Sequence, residues 1–284
     1  MPRFGMMRIT ASSLLLLVGL AWPVRADGPL PSPKARYDQA VWLCAHNAMS
    51  SKADGWTFPN QNLNLADQFA AGARAFMLDV HVQDNALVSR HGPEAARFLG
   101  WKPFGKDLAS IRSMLDGHPD QIVTVILESY APAKDVAEAF GKAGLADMAR
   151  SQQAGQAWPT LEQMVAEKKR LVVFTDRPDG GPAWMMPVWD QAWETPFEAH
   201  APADLKNVPN RGKKTNALLI LNHFLSNPMP SPDLAGQVNR NPFLSKRLDD
   251  ARTAFGRRPN FVTVDFLDIG DVAAEVGRLN ATEK

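Results

Sequence analysis

Residues 75–81 read Ala-Phe-Met-Leu-Asp-Val-His, an apolar run that ends in two groups able to do chemistry, Asp79 and His81. The same pattern recurs along the chain: AVWLCAHN (40–47), ALVSRH (86–91), IVTVILES (122–129), LVVFTDR (171–177), ALLILNH (217–223) and FVTVDF (261–266). Several of these runs are apolar at odd and even positions alike, as strands buried on both faces of a parallel sheet are. Helix-like stretches fall near 64–72, 106–116, 134–149, 160–168, 244–255 and 271–280, and Thr160 with Gln163 has the spacing of a capping box. With a weaker run near 185–190, the pattern predicts eight strands. A single α/β barrel of the (β/α)8 TIM type takes about 250 residues. A doubly wound open sheet is the alternative. No Gly-x-Gly-x-x-Gly turn follows the first strand, which argues against a dinucleotide-binding version of it.

The chain has 284 residues, and its front reads as an export signal. Arg3 and Arg8 make a charged start, Leu14 to Trp22 an apolar run, and Val24-Arg25-Ala26 a small-residue cleavage site. The expected division is a signal peptide at 1–26 and one barrel domain at 27–284, with a secreted or periplasmic destination. Removing Arg3, Arg8 and Arg25 from the 31 basic residues leaves 28 against 30 acidic ones. That balance excludes a nucleic-acid binder working through a basic surface. A hydrophobic share of 45% excludes global disorder. Cys44 is the single cysteine, so the fold stands without an internal disulfide.

The ends of the runs carry the functional signal. They finish with His46 and Asn47, Asp79 and His81, His91, Glu128, Asp176, Asn222 and His223, and Asp265. In a β/α barrel the C-terminal strand ends converge on one mouth, and that mouth holds the active site. One strand-end histidine is ordinarily a hydrogen-bonded surface group; a polar group at seven successive strand ends is a pattern. The chain has no Gly-x-Ser-x-Gly, no His-Glu-x-x-His and no cysteine pair, which removes esterase, zinc-peptidase and zinc-knuckle readings. Two histidines can divide a reaction, one accepting a proton from a nucleophile and the other giving one to a leaving group. Asn47, Asp79 and Glu128 offer hard oxygens that suit calcium or magnesium. The combination suits phosphodiester cleavage.

These residues resemble those of phosphatidylinositol-specific phospholipase C catalytic (X) domains. Ala45-His46-Asn47-Ala48-Met49-Ser50 is similar to the family's Thr-His-Asn-Ser opening. Gly72 to His81, Leu87 to Gly92 and Val123 to Glu128 follow in the family's order, and Leu221 to Phe224 and Arg258 to Phe266 are similar to secreted bacterial members. The resemblance implies a distorted (β/α)8 TIM-like barrel. It implies that His46 and His91 are the catalytic histidines, that the inositol 2-hydroxyl attacks phosphorus, and that a cyclic phosphate forms which water can then open. Asn47, Asp79 and Glu128 match calcium-ligand positions of metal-dependent members, with magnesium as the alternative ion. Those members carry a glutamate two residues before the aspartate, where this chain has Met77. Asp265 stands where it can orient His46; a barrel-end salt bridge is the competing role. The implied substrate is a phospholipid or other phosphodiester, with transient membrane-surface contact, no nucleic acid and a monomeric state.

Other groups have structural expectations. Arg74 precedes its strand and is expected in an ion pair. Arg90 alternates away from His91 and is expected to point outward. Arg177 and Lys102 are further candidates for the mouth, His118 sits in a surface turn, and the loop aromatics Trp56, Phe58, Trp101, Phe104, Trp184, Trp189 and Trp193 are expected to pack beneath loops. Two other readings remain from sequence: a glycerophosphodiester- or sphingomyelinase D-like barrel diesterase, and a non-catalytic barrel that binds head groups or glycans.

Overall fold

A computed structural model describes Met1 and residues 30–281. Apart from Met1, the expected signal peptide lies outside the described residues. Eight parallel strands form the frame: β1 (Trp42–Ala45), β2 (Ala75–Gln83), β5 (Val123–Tyr130), β6 (Leu171–Thr175), β7 (Met185–Pro187), β8 (Ala192–Glu194), β9 (Leu218–Asn222) and β10 (Phe261–Val264). Two more, β3 (Ala86–Ser89) and β4 (Lys102–Pro103), form an antiparallel flap on β2. The order is β7-β6-β5-β2-β1-β10-β9-β8, so the sheet curls into a barrel-like surface. No ladder joins β7 to β8; a four-residue helix, α5 (Val188–Gln191), links them.

The expectation of an α/β, TIM-like barrel holds, with two substitutions in its parts. The run at 86–91 is a strand but not a barrel strand. It folds back antiparallel because Asp84 and Asn85, both in the left-handed region, make a tight reversal right after β2. Its place in the barrel is taken by β8, three residues too short for a periodic signal.

The helices are α1 (Leu65–Ala70), α2 (Phe104–Gly117), α3 (Ala133–Lys142), α4 (Leu161–Ala166), α6 (Pro232–Val238), α7 (Phe243–Phe255) and α8 (Val272–Ala281). Six of them fall on the expected stretches; α6 lies in a proline-rich segment outside them. The capping box at α4 is present: Gln163 N–H donates to Thr160 Oγ1 and Thr160 N–H to Gln163 Oε1.

Strand alternation divides the apolar side chains into two cores. Trp42 and Cys44 of β1 face inward with Ile126, Phe174, Ile220 and Phe261. Leu43 and Ala45 face outward beneath the helices with Phe76, Leu78, Val125 and Val262. Fully buried β1, β6, β9 and β10 are therefore apolar at every position or nearly so. The floor of the inner core is set by the segment before β1. Tyr37 is fully buried, stacks on Trp158 at 4.4 Å and shares a hydrogen bond of 2.7 Å with Thr124 Oγ1.

His223, directly after β9, turns its ring to α6 (Val238) instead of standing with the other strand-end groups. It is fully buried, its Nε2–H donates to Val238 O at 3.0 Å, and burial pushes its pKa down to about 4. The unfolded chain takes up that proton near pH 6.5 and the folded chain resists it. Folding stability is thus expected to fall as pH drops from about 6.5 to about 4, by about 3 kcal/mol from this residue. Urea midpoints measured across that range should show the loss in the wild type and a clearly flatter profile in His223→Leu. Parallel profiles would contradict the assignment.

Candidate active site

His46 follows β1 directly, and the turn it begins is held from three sides. His46 N–H donates to Val264 O, Gln61 Nε2 donates to both His46 O and Val264 O, and Ala48 N–H donates to Met77 O. Asn47 sits in the left-handed region at φ 42°, which asparagine accepts more readily than most residues. The imidazole lies flat on Phe224, with ring centroids 3.7 Å apart and 9° between planes. Its Nδ1 is 2.9 Å from Asp265 Oδ1, just past the end of β10. Asn60 Nδ2 donates to the same oxygen at 3.0 Å, and Asp265 is 3% exposed. With Nδ1–H given to Asp265, Nε2 carries the free lone pair.

A second histidine–aspartate pair stands opposite. His91, beyond β3, places Nδ1 2.9 Å from Asp79 Oδ2. Asn47 Nδ2 is 3.2 Å from the same nitrogen. Burial opposes the charged imidazole, but the Asp79 hydrogen bond and the charges of Asp79, Glu128 and Asp265 outweigh it, so the His91 pKa is raised. Burial also pushes the Asp79 carboxyl up, while His91 pulls it down. The two groups titrate together, with one proton held between them.

His46, Asn47, Asp79, Glu128, Asp176 and Asn222 line one pocket of about 190 Å³. Asp265 and His91 join it through their partners His46 and Asp79. The barrel thus brings His46, Asn47, Asp79 and Glu128 onto one lining, while Asp265 and His91 stand behind it, each bonded to a lining residue. It does not bring in His81 or His223. His81 stacks on Tyr130 at 4.3 Å and accepts a hydrogen bond from Arg90 Nη2 at 3.0 Å. Burial and the Arg90 charge push its pKa down to about 4, so it stays neutral.

Arg90 itself corrects an expectation. It is 3% exposed rather than outward-facing, because His81, Gly92 O and the exposed Glu94 supply its partners. Arg74 is structural, though through carbonyls: it donates to Phe69 O, Ala73 O and Gln121 Oε1. Lys102 pairs with Asp54 and Asp107, away from the pocket lining. Arg177 lies over the Tyr130 ring. His118 is exposed, as its turn implied. Among the loop aromatics, Trp56, Phe104 and Trp193 are buried, whereas Phe58 and Trp101 are exposed on two loops tied by the Thr57 N–H to Leu99 O hydrogen bond.

Several lining groups had escaped the sequence reading. Glu194 at the end of β8 is buried and accepts from Asn222 Nδ2 at 3.0 Å, Asn210 Nδ2 at 3.2 Å and Arg211 Nε at 2.5 Å. Trp189, Phe197 and Phe224 make the apolar wall. The missed signal was Ala192-Trp193-Glu194, an apolar pair ending in an acid.

The donor chemistry of Asn47, Asp79 and Glu128 suits a hard cation: one amide and two carboxylates on one pocket, with Asp79 and Glu128 paired across neighbouring strands. Among the described residues, no three His, Cys, Asp or Glu side chains come together closely enough to hold a metal ion. The pocket is acidic. Four carboxylates, Asp79, Glu128, Asp176 and Glu194, line a pocket whose only Lys or Arg among the described residues is Arg211.

The sequence profile described as PI-PLC X 1 matches residues 34–280. A PI-PLC X domain-containing protein of Arabidopsis thaliana is 26% identical over 291 residues, covering 93% of this chain and 68% of that protein. An uncharacterized secreted protein of Arthroderma benhamiae is 22% identical over 270 residues, covering 86% of this chain and 60% of the relative's length. Among solved structures, the phosphatidylinositol-specific phospholipase C from Listeria monocytogenes matches with a TM-score of 0.60 at 13% identity, over 92% of this chain and 99% of that one. At that identity the likeness is one of fold.

Proposed function

The chain belongs to the PI-PLC X family, and from that premise we propose that it is a phosphodiesterase of the phospholipase C type, acting on phosphatidylinositol or a similar phosphodiester. The observation that carries the reading is a pair of imidazoles, each bonded through Nδ1 to a buried aspartate, with His46 and Asp79 on the lining of one pocket. His46, oriented by Asp265, takes the proton of the attacking hydroxyl at Nε2. His91, kept protonated by Asp79, gives a proton to the departing oxygen. The new oxygen–phosphorus bond forms as the bond to the leaving oxygen breaks. A neighbouring hydroxyl on the head group as nucleophile yields a cyclic phosphate, and water yields the open monoester. Analysis of the phosphorus products by ³¹P NMR separates the two routes, and absence of either product from any phosphodiester tested would sink the reading.

A divalent cation, calcium or magnesium, is part of the proposal. Asn47, Asp79 and Glu128 would hold it, and it would offset negative charge on the phosphoryl oxygens. With Met77 where metal-dependent members have a glutamate, binding is expected to be weak, since fewer carboxylates mean lower affinity. Dialysis against EDTA is expected to lower activity by about tenfold or more, with recovery on adding calcium at millimolar concentration. Full activity in EDTA would remove the cation from the scheme.

Export is also proposed. The charged, apolar and small-residue segments of the first 26 residues support it, as does the name of the Arthroderma relative. No helix among the described residues is long and apolar enough to cross a membrane. N-terminal sequencing of protein recovered outside the cytoplasm is expected to begin at Asp27; an intact Met1 in that fraction would contradict cleavage.

A further inference from the structure

Arg211 stands out among the groups around the pocket. Its backbone is pinned to β8: Glu194 N–H donates to Arg211 O at 3.0 Å and Asn210 N–H to Glu194 O at 2.8 Å. Gly212, at φ 78°, lets the loop lie against β8; a Cβ there would sit 2.3 Å from Ala192 O. The guanidinium lies 4.5 Å from the Trp189 ring centroid and 4.6 Å from that of Phe197. Its Nε donates to Glu194 Oε1, and Glu194 is held in turn by Asn210 and Asn222. Neither Nη has a hydrogen-bond partner among the described residues.

Stacking and the Glu194 bond therefore fix the plane of a cation whose remaining donors are unused. The fork geometry of a guanidinium matches phosphate oxygens, and stacking removes the rotamer freedom that binding would otherwise have to quench. The other ionised groups on the same walls are carboxylates, which repel a phosphodiester. On the lining itself, an anion entering this pocket meets Arg211 as the one arginine or lysine among the described residues.

We propose that Arg211 is a phosphate-anchoring residue, whose Nη donors take an anionic oxygen of the scissile phosphodiester. This rests on the phosphodiesterase reading for its substrate, but it can be tested without turnover. Glu194, Trp189 and Phe197 are positioning residues that hold the guanidinium in place.

The experiment is calorimetric titration of the full chain with inorganic phosphate and, separately, with myo-inositol, both in EDTA so that no cation carries the anion. Arg211→Gln is expected to weaken phosphate binding by about tenfold and to leave myo-inositol binding unchanged. Arg211→Lys should recover little, because lysine has neither the fork nor the planar stack. Glu194→Gln, which keeps the cation but loosens its tether, should weaken phosphate binding by a smaller factor. Unchanged phosphate affinity in Arg211→Gln, or no phosphate binding by the wild type at millimolar concentration, would overturn the proposal. So would a loss confined to myo-inositol, which would make Arg211 a reader of head-group hydroxyls. Should Arg211→Gln misfold, Arg211→Lys compared with wild type decides the same question. A wild type that binds phosphate through Arg211 but turns over no diester would leave this anchor standing and remove the enzymatic reading.

Discussion

His46→Gln is expected to lower kcat/KM on phosphatidylinositol vesicles by about a thousandfold, with little change in thermal midpoint. Glutamine keeps the approximate length of the side chain and a donor toward Asp265, but it has no lone pair of imidazole basicity at the position of Nε2. General acid–base groups contribute about 10²–10⁴-fold in rate, and His46 combines proton transfer with orientation by Asp265 and Asn60. Only 19% of the side chain is exposed, and Phe224 covers one ring face, so the replacement fits without opening a cavity. His91→Gln is expected to fall in the same range. On the proposed mechanism the pair serves one phosphorus, so the double variant should lose far less than the product of the single losses. Activity within tenfold of wild type in either single variant would remove that histidine from the mechanism.

The largest expected stability effect lies at the other end of the barrel. Tyr37→Ala should destabilise the fold by about 4 kcal/mol, judged by the cost of deleting large buried aromatic side chains. Tyr37 is fully buried, touches the rings of Trp42 and Trp158, and bonds Thr124 on β5. Removing the ring leaves a cavity among large neighbours and strips Thr124 of its partner. Tyr37→Phe isolates the second loss and should cost about 1 kcal/mol. Urea unfolding followed by tryptophan fluorescence distinguishes the two. Equal, small losses in both variants would mean that the segment ahead of β1 is an appendage rather than the floor of the inner core.

Much of this was legible in the chain. Apolar runs with polar ends located six of the eight barrel strands, and the weaker run at 185–190 a seventh, because a strand buried on both faces has a composition that loops lack. The convergence of His46, Asn47, Asp79 and Glu128 followed from the shared direction of parallel strands. The misreadings came from what spacing does not encode. His91 lies on an antiparallel flap, yet it still reaches Asp79, because β3 pairs with the strand that carries Asp79. His81 shares that strand and is turned away to Tyr130 and Arg90. Glu194 and Arg211 sit on a three-residue strand and a long loop, where neither a period of 2 nor one of 3.6 can build up. Asn60 is a turn residue in sequence and a support for Asp265 in space.

The break between β7 and β8 has a consequence for diversity within the family. Extra residues placed between Pro187 and Ala192 would interrupt no interstrand hydrogen bond, since α5 alone crosses there. Trp189 rides on that crossing and forms part of the pocket wall. A change of length at this one joint would therefore resize the chamber while leaving both histidine–aspartate pairs on elements that it does not touch, so that the size of what fits can drift apart from the groups that would act on it.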